Sequence, residues 1–309
     1  MKKHLLDFKP GVIVPMVTPL DQNESVDLES VPRLVDFLVN RGVHSIFTLG
    51  TTGEISRLDA DSCVRMIEAT VAAVSGRVPV YAGISAHAGT RQTIRNLKRA
   101  EEAGADYLVV TLPYYFPITD TAEQIEFFTQ VADAASCGVL LYNIPWTVAE
   151  PIHIETIERL AAHPNIVGIK DSSGDIDYLN QVLAFRDPDS FRVVCGHEGL
   201  FEADILKQTD GIVSSSSNIL PASVTKMWDA VGTDQFEHYL ERVQYVNNLN
   251  DCSPYSSTVG MALRKRVLSH LGLIPPYTSQ PCTRFSEDDL CAIADLAGKV
   301  SEWERVTPA

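Results

Sequence analysis

The sequence predicts a (β/α)8 barrel of the TIM type, an α/β fold, extended at its C-terminal end by helices. Two observations carry this prediction. From residue 12 onward, short β-branched runs alternate with amphipathic stretches of about 12 to 17 residues, the signature of repeated βα units and a parallel sheet. The runs number eight, and eight such units in about 220 residues suit a TIM barrel. A third observation sets aside a doubly wound open sheet, because no Gly-x-Gly-x-x-Gly follows the first run.

In chain order the expected strands are 12–17, 45–49, 79–83, 107–112, 139–143, 166–170, 191–195 and 211–215. Each is a short apolar stretch rich in Val, Ile, Leu and aromatics, and each is followed by a segment of helical period. Segments 27–40 and 90–103 are the clearest of these helices. Gly42 and Gly104 stand just past their ends, where a left-handed cap is needed. From about 233 to 304 the pattern is wholly helical, broken by Pro275-Pro276 and Pro281. The expected organisation is therefore a barrel over 1–232 and a helical region over 233–309 packed on it. No Gly-, Ser- or Pro-rich linker separates the two.

Composition narrows the function. The 309 residues are 45% apolar, enough for a large core. Lys and Arg total 25 against 40 Asp and Glu, a formal charge of −15. Such a surface repels phosphate backbones and anionic lipid, so neither nucleic acid nor a membrane is an expected partner. No apolar run approaches the roughly 20 residues needed to span a bilayer, and the first residues lack the apolar core of a signal peptide, so a cytoplasmic location is expected. Cys63, Cys137, Cys195, Cys252, Cys282 and Cys291 form no Cys-x-x-Cys pair. They read as reduced packing residues, Cys195 included, although it lies near a strand end.

Lys170 is the residue that demands a chemical account. It ends the apolar run Ile166-Val167-Gly168-Ile169-Lys170 and precedes Asp171-Ser172-Ser173. An ammonium there must find a partner, Asp171 being the nearest in sequence, or lose its proton, because desolvation disfavours the charged form. A neutral amine at a strand end is a nucleophile. In a βα barrel the carboxyl ends of all strands share one mouth, so residues there converge whatever their separation in sequence. Polar residues of this chain gather at those ends. The second strand runs into Gly50-Thr51-Thr52-Gly53-Glu54, a turn whose hydroxyls and N–H groups can face a carboxylate. The fourth ends in Pro113-Tyr114-Tyr115-Phe116-Pro117 and the fifth in Tyr142-Asn143-Ile144-Pro145. Tyr142 and Lys170 end neighbouring strands, about 4.8 Å apart in a sheet.

Imine chemistry needs such a set. A free lysine, with a pKa of about 10.4, is almost wholly protonated at neutral pH, so an imine-forming lysine must be depressed by burial. Carbinolamine formation and dehydration then need a group that both gives and takes a proton at the carbonyl oxygen. A tyrosine linked to threonine hydroxyls can do so.

Val17-Thr18-Pro19, Gly50-Thr51-Thr52-Gly53-Glu54, Tyr142-Asn143-Ile144-Pro145 and Gly168-Ile169-Lys170-Asp171, in this order and spacing, resemble the dihydrodipicolinate synthase and N-acetylneuraminate lyase superfamily. The resemblance covers nearly the whole chain. It implies a TIM barrel with a helical C-terminal region, a homotetramer built as a dimer of dimers, and cleavage or condensation of pyruvate through a lysine imine with no cofactor and no metal. It casts Lys170 as the imine lysine and Tyr142 as the proton shuttle. Thr51 and Thr52 match residues that hold the pyruvate carboxylate and relay protons. Tyr115 matches a tyrosine that reaches into a neighbouring subunit's site. The catalytic set is thus Lys170, Tyr142, Thr52 and Tyr115, and the substrate-binding set Thr51, Thr52, Ser172, Gly196, Glu198, Val213 and Ser215.

Departures from the family pattern bear on the substrate. Lysine-pathway synthases carry an arginine where this chain has Thr147, next to Trp146. A hydroxyl cannot replace a bidentate guanidinium on a carboxylate. His87 and Arg91 replace the Asn and Glu of lysine-sensitive synthases, which argues against lysine feedback. Tyr115-Phe116-Pro117, Ser172 and Glu198 lean toward the sugar-acid lyases, whereas Gly199 and Ala149 depart from the sialic-acid pattern. Residues 214–217, all serine, could serve a polyol. The expected function is a Schiff-base aldolase or dehydratase acting on a 2-keto-3-deoxy sugar acid or related 2-oxo acid. The alternatives are 4-hydroxy-tetrahydrodipicolinate synthase, for which a cation supplied near Thr147 would speak, and a non-catalytic 2-oxo-acid binder. A metal aldolase using His87, His197, Glu198 or Asp171 lacks a recognised ligand spacing.

Overall fold

In a computed structural model, which describes residues 8–84, 89–251, 258–282 and 285–305, eight parallel strands close into a barrel in sequence order. The first half comprises β1 (Gly11–Pro15), α1 (Val31–Val39), β2 (Ser45–Thr48), α2 (Ala60–Val74), β3 (Val80–Ile84), α3 (Thr90–Glu102), β4 (Tyr107–Thr111) and α4 (Thr121–Ala134). The second comprises β5 (Gly138–Asn143), α5 (Pro145–Val148), α6 (Ile154–Leu160), β6 (Ile166–Asp171), α7 (Ile176–Phe185), β7 (Arg192–Cys195), α8 (Ala203–Leu206), β8 (Gly211–Val213) and α9 (Pro221–Asp229). Beyond them lie α10 (Phe236–Asp251), α11 (Thr258–His270) and α12 (Glu287–Glu304). Pairing of Val12 with Ile212 closes β1 on β8.

The expected strands all form, each within a few residues of its predicted ends. The strands read as continuous apolar runs because both faces are covered, one by the packed interior and one by helices. Gly42 and Gly104 have φ of 84° and 95° and close α1 and α3 as expected. Asp59, Asp120 and Asp175 accept backbone N–H bonds at the starts of α2, α4 and α7. Each such cap contributes about 1 kcal/mol and marks where a loop must turn into a helix.

Two segments differ from expectation. The stretch after β7 is not a full amphipathic helix but a 3-10 turn (Glu198–Leu200) and the single turn α8. The serine-rich end of the eighth strand leaves the sheet at Val213 and becomes a 3-10 turn (Ser215–Asn218), so the predicted strand 211–215 stops two residues early. At the end of β8 the Glu198 carboxylate gathers Ser214, Ser215 and Ser216 around itself, which accompanies the departure from strand geometry.

The C-terminal helices are tied to the barrel by buried charges. Glu304, at the end of α12, accepts from the backbone N–H groups of Ala222 and Ser223 in the first turn of α9. Lys265 of α11 pairs with Glu54 in the loop after β2, and both side chains are fully buried. Glu54 also accepts the N–H of Ser279 at 2.9 Å. Removing one partner leaves a buried charge uncompensated. Lys265→Met is therefore expected to destabilise the fold by about 3–5 kcal/mol, read as the shift in a urea unfolding curve; a loss under about 1 kcal/mol would show that the pair is not structural.

Candidate active site

Alternation along β6 decides what Lys170 meets. Successive side chains of a strand face opposite sides, so Lys170 points into the barrel and Asp171 away from it. Asp171 consequently makes no ion pair with Lys170. It accepts from Asn143 Nδ2 at 2.7 Å and from the N–H and hydroxyl of Ser173, and burial pushes its carboxyl up. This network fixes the ends of β5 and β6 side by side.

In the same register Lys170 lies opposite Tyr142. Its Nζ sits 3.6 Å from the centroid of the Tyr142 ring and 5.1 Å from that of Phe47. Lys170 is only 4% exposed, and burial lowers its pKa despite the opposing influence of Tyr142. Desolvation wins because the aromatic faces offer partial rather than full negative charge. The Tyr142 hydroxyl lies 3.3 Å from Thr51 Oγ1, so the phenol is joined to the loop after β2.

That loop is held from below. Thr18 donates to the Gly53 carbonyl at 2.6 Å, and Glu54 is locked by Lys265. Leu49 and Glu54, neither of them glycine, adopt φ of 58° and 61° on either side of Thr51 and Thr52. Left-handed backbone costs such residues of order 1 kcal/mol or more, and it persists only where its surroundings enforce it. Here the anchored Glu54 does so.

A cavity of about 370 Å³ opens over Lys170. It brings together Thr51, Thr52, Tyr142, Lys170, Ser172, Gly196, Glu198, Val213 and Ser215, which is the predicted set save one residue. The exception is Tyr115, which is 74% exposed and outside the cavity of its own chain. At Gly196 a Cβ would lie 2.2 Å from Ser172 Oγ and 2.8 Å from Lys170 Cε, so any side chain there must displace one or both. Ser172 Oγ donates to the Gly196 carbonyl, and Trp146 Nε1 donates to the Ser172 carbonyl at 2.9 Å.

Glu198 forms the far wall. Its Oε1 accepts from Ser214 Oγ at 2.6 Å, Ser215 Oγ at 3.3 Å and Ser216 N at 2.8 Å, and its Oε2 accepts from Ser216 Oγ at 2.9 Å. Of the serines expected for a polyol, Ser214, Ser215 and Ser216 are thus engaged by Glu198, and the Ser217 hydroxyl donates to the Ser214 carbonyl. Sequence reasoning missed the rest of this wall, Asn247 of α10 and Gly260, Met261 and Arg264 of α11. Their only signal was membership of a helical extension.

Thr147 lines a smaller hollow on the other side of Tyr142. Cys195 is buried, its thiol pushed up to about 12 by burial, which makes it a packing residue. Cys63, Cys137, Cys282 and Cys291 are free thiols, and Cys252 and His87 lie outside the described residues. Among the described residues no cluster of His, Cys, Asp and Glu is arranged to hold a metal ion, and no helix is long and apolar enough to cross a membrane.

A desolvated amine beside a phenol at the mouth of a TIM barrel is the equipment of class I aldolase-type enzymes. The chain belongs to the dihydrodipicolinate synthetase family, whose model matches residues 8–299. It is 33% identical over 291 residues to an uncharacterized DapA-like lyase of Halobacterium salinarum, covering 93% of each chain. It is likewise 33% identical over 304 residues to the 4-hydroxy-tetrahydrodipicolinate synthase of Stenotrophomonas maltophilia, covering 96% of this chain and 98% of that one. Among solved structures it resembles YagE, a prophage protein of E. coli K12 in complex with pyruvate. The TM-score is 0.85 at 26% identity over 94% of this chain and 98% of that one.

The Gly196 contact generates a test. Gly196→Ala is expected to fold, with unchanged circular dichroism, but to slow borohydride trapping of a 2-oxo acid on Lys170 by about 10²-fold, the usual consequence of an ångström-scale misplacement. Trapping at the parent rate would mean that Ser172 and Lys170 move aside freely.

Proposed function

We propose that the protein is a Schiff-base lyase, an aldolase or dehydratase, that acts on a 2-keto-3-deoxy sugar acid or related 2-oxo acid through an imine on Lys170. Pyruvate is the expected product or co-substrate. The observation that carries this reading is the desolvated Lys170 amine packed against the Tyr142 ring, whose hydroxyl is bonded to Thr51.

In cleavage, the Lys170 lone pair attacks C2 of the 2-oxo acid, whose carboxylate faces the hydroxyls and N–H groups of Thr51 and Thr52. Tyr142 gives a proton to the C2 oxygen, and after a second proton transfer the oxygen leaves as water, forming the iminium. The C3–C4 bond then breaks. Its electron pair flows to the iminium nitrogen to make an enamine, while the C4 hydroxyl loses its proton to the Tyr142–Thr51 relay and departs as an aldehyde. Protonation at C3 and hydrolysis return pyruvate and the free amine. Condensation runs the same steps backward.

The alternative, 4-hydroxy-tetrahydrodipicolinate synthesis from pyruvate and aspartate semialdehyde, draws support from the named activities of relatives such as the Stenotrophomonas enzyme. The hydroxyl of Thr147, where that activity uses a guanidinium, counts against it. Assembly as a homotetramer belongs to the same reading: Tyr115 and Phe116 are 74% and 78% exposed, and Tyr115 would reach a neighbour's cavity.

Incubation with pyruvate and borohydride, followed by peptide mass spectrometry, is expected to place a reduced pyruvyl adduct on Lys170. Lys170→Ala should abolish both adduct and turnover with the fold intact, and Tyr142→Phe should slow turnover by about 10² to 10⁴-fold. Near-normal turnover in the Lys170 variant would sink the mechanism.

The amine must be neutral to attack, and burial lowers its pKa. The rate of adduct formation should therefore rise with pH through a midpoint below the free-lysine value of about 10.4. A midpoint at that value would mean that burial does not activate Lys170.

A further inference from the structure

Arg264 is a cation that the sequence pattern did not place near the chemistry. It comes from α11, is 3% exposed and lines the cavity over Lys170 on the wall that also carries Glu198. Its Nε donates to the Ser215 carbonyl at 2.8 Å, its Nη1 to the Gly260 carbonyl at 2.8 Å, and its Nη2 lies 3.5 Å from Ser216 Oγ. A guanidinium carries five N–H groups, and these three partners leave two without an acceptor among the described residues.

No carboxylate of the described residues forms an ion pair with it. Glu198 influences it only at a distance, and the acceptors of Glu198 are already filled in large part by serines. A buried cation held by carbonyls but lacking a contacting anion favours an anionic ligand, because arginine cannot escape by deprotonation.

We propose that Arg264 selects the far end of the substrate, so that the preferred 2-keto-3-deoxy acid is a diacid with a terminal carboxylate, and not its counterpart ending in a hydroxymethyl group. This inference rests on the imine reading, in which the 2-oxo acid end is held at Lys170, Thr51 and Thr52 and the remainder extends across the cavity. Carboxylate fits better than phosphate, because Glu198 beside it penalises a second negative charge. Asn247 and the free acceptor capacity of Glu198 Oε2 are left for the hydroxyls between the two ends.

The test compares six-carbon 2-keto-3-deoxy acids that end in hydroxymethyl, carboxylate or phosphate, with kcat/KM read from loss of the 2-oxo acid. Pyruvate trapping on Lys170 is read in parallel; because pyruvate has no far end, it reports the imine step alone. The parent protein should prefer the diacid. Arg264→Met should lose about 10- to 100-fold on the diacid, the usual effect of a charge-assisted hydrogen bond, and change far less on the neutral-ended acid. Should the loss of the Ser215 and Gly260 contacts unfold that variant, Arg264→Lys keeps the charge without the fork and should show a smaller loss confined to the diacid. Equal loss on both acids, or a parent preference for the hydroxymethyl or phosphate end, overturns the assignment. Failure of pyruvate to trap in the parent protein would overturn the imine reading itself.

Discussion

Keeping a primary amine out of water is the constraint on which the site depends. A fully desolvated ammonium costs several kcal/mol even after relaxation, and a barrel interior offers little to repay it. The chain meets this cost by arranging that the amine need not be charged. Strand alternation sends Asp171, the one adjacent carboxylate, to the opposite face, where Asn143 and Ser173 occupy it. What remains around Lys170 Nζ is two aromatic rings, enough to position the amine and too little to offset the desolvation that lowers its pKa. The same geometry that discourages an ion pair favours the neutral amine.

The second requirement is that the hydroxyls opposite this amine do not move. The loop after β2 contains left-handed backbone at Leu49 and Glu54 and would relax if released. Thr18 grips it from the end of β1, and Lys265 holds Glu54 from α11. The helical extension is therefore part of the site's construction: one of its residues braces the loop, and others close the wall of the cavity. Left-handed backbone at Leu49 and Glu54, on either side of Thr51 and Thr52, is held by a buried ion pair whose members are far apart in sequence.

Much of this was legible in the residues. Eight apolar runs with intervening helical periods defined the barrel, and closure of a parallel barrel puts all strand ends at one mouth, so Lys170, Tyr142, Thr51 and Thr52 could be brought together without coordinates. The illegible parts share a cause. Glu54 was readable as a turn residue, but nothing periodic links it to Lys265. The serines at 214–217 looked free because hydroxyls at a strand end usually meet solvent, and the capture of the first three by Glu198 required knowing that the seventh unit carries only a vestigial helix. Arg264 and Asn247 were hidden because the reading assumed that strand ends alone build the cavity. Tyr115 joined the set only through the family resemblance, which sends it to a neighbouring subunit, and it lies exposed outside this chain's own cavity.

Arg264 and Lys265 are consecutive on α11 and so project about 100° apart. One faces the cavity while the next anchors the helix to the loop after β2. The buried anchor to the loop after β2 and the cation on the cavity wall are thus neighbours in sequence, and Arg264 also helps to seat the helix through the Ser215 carbonyl. An exchange at 264 would therefore alter the charge facing the cavity and one seam between helix and barrel together, while leaving the Lys265–Glu54 anchor in place.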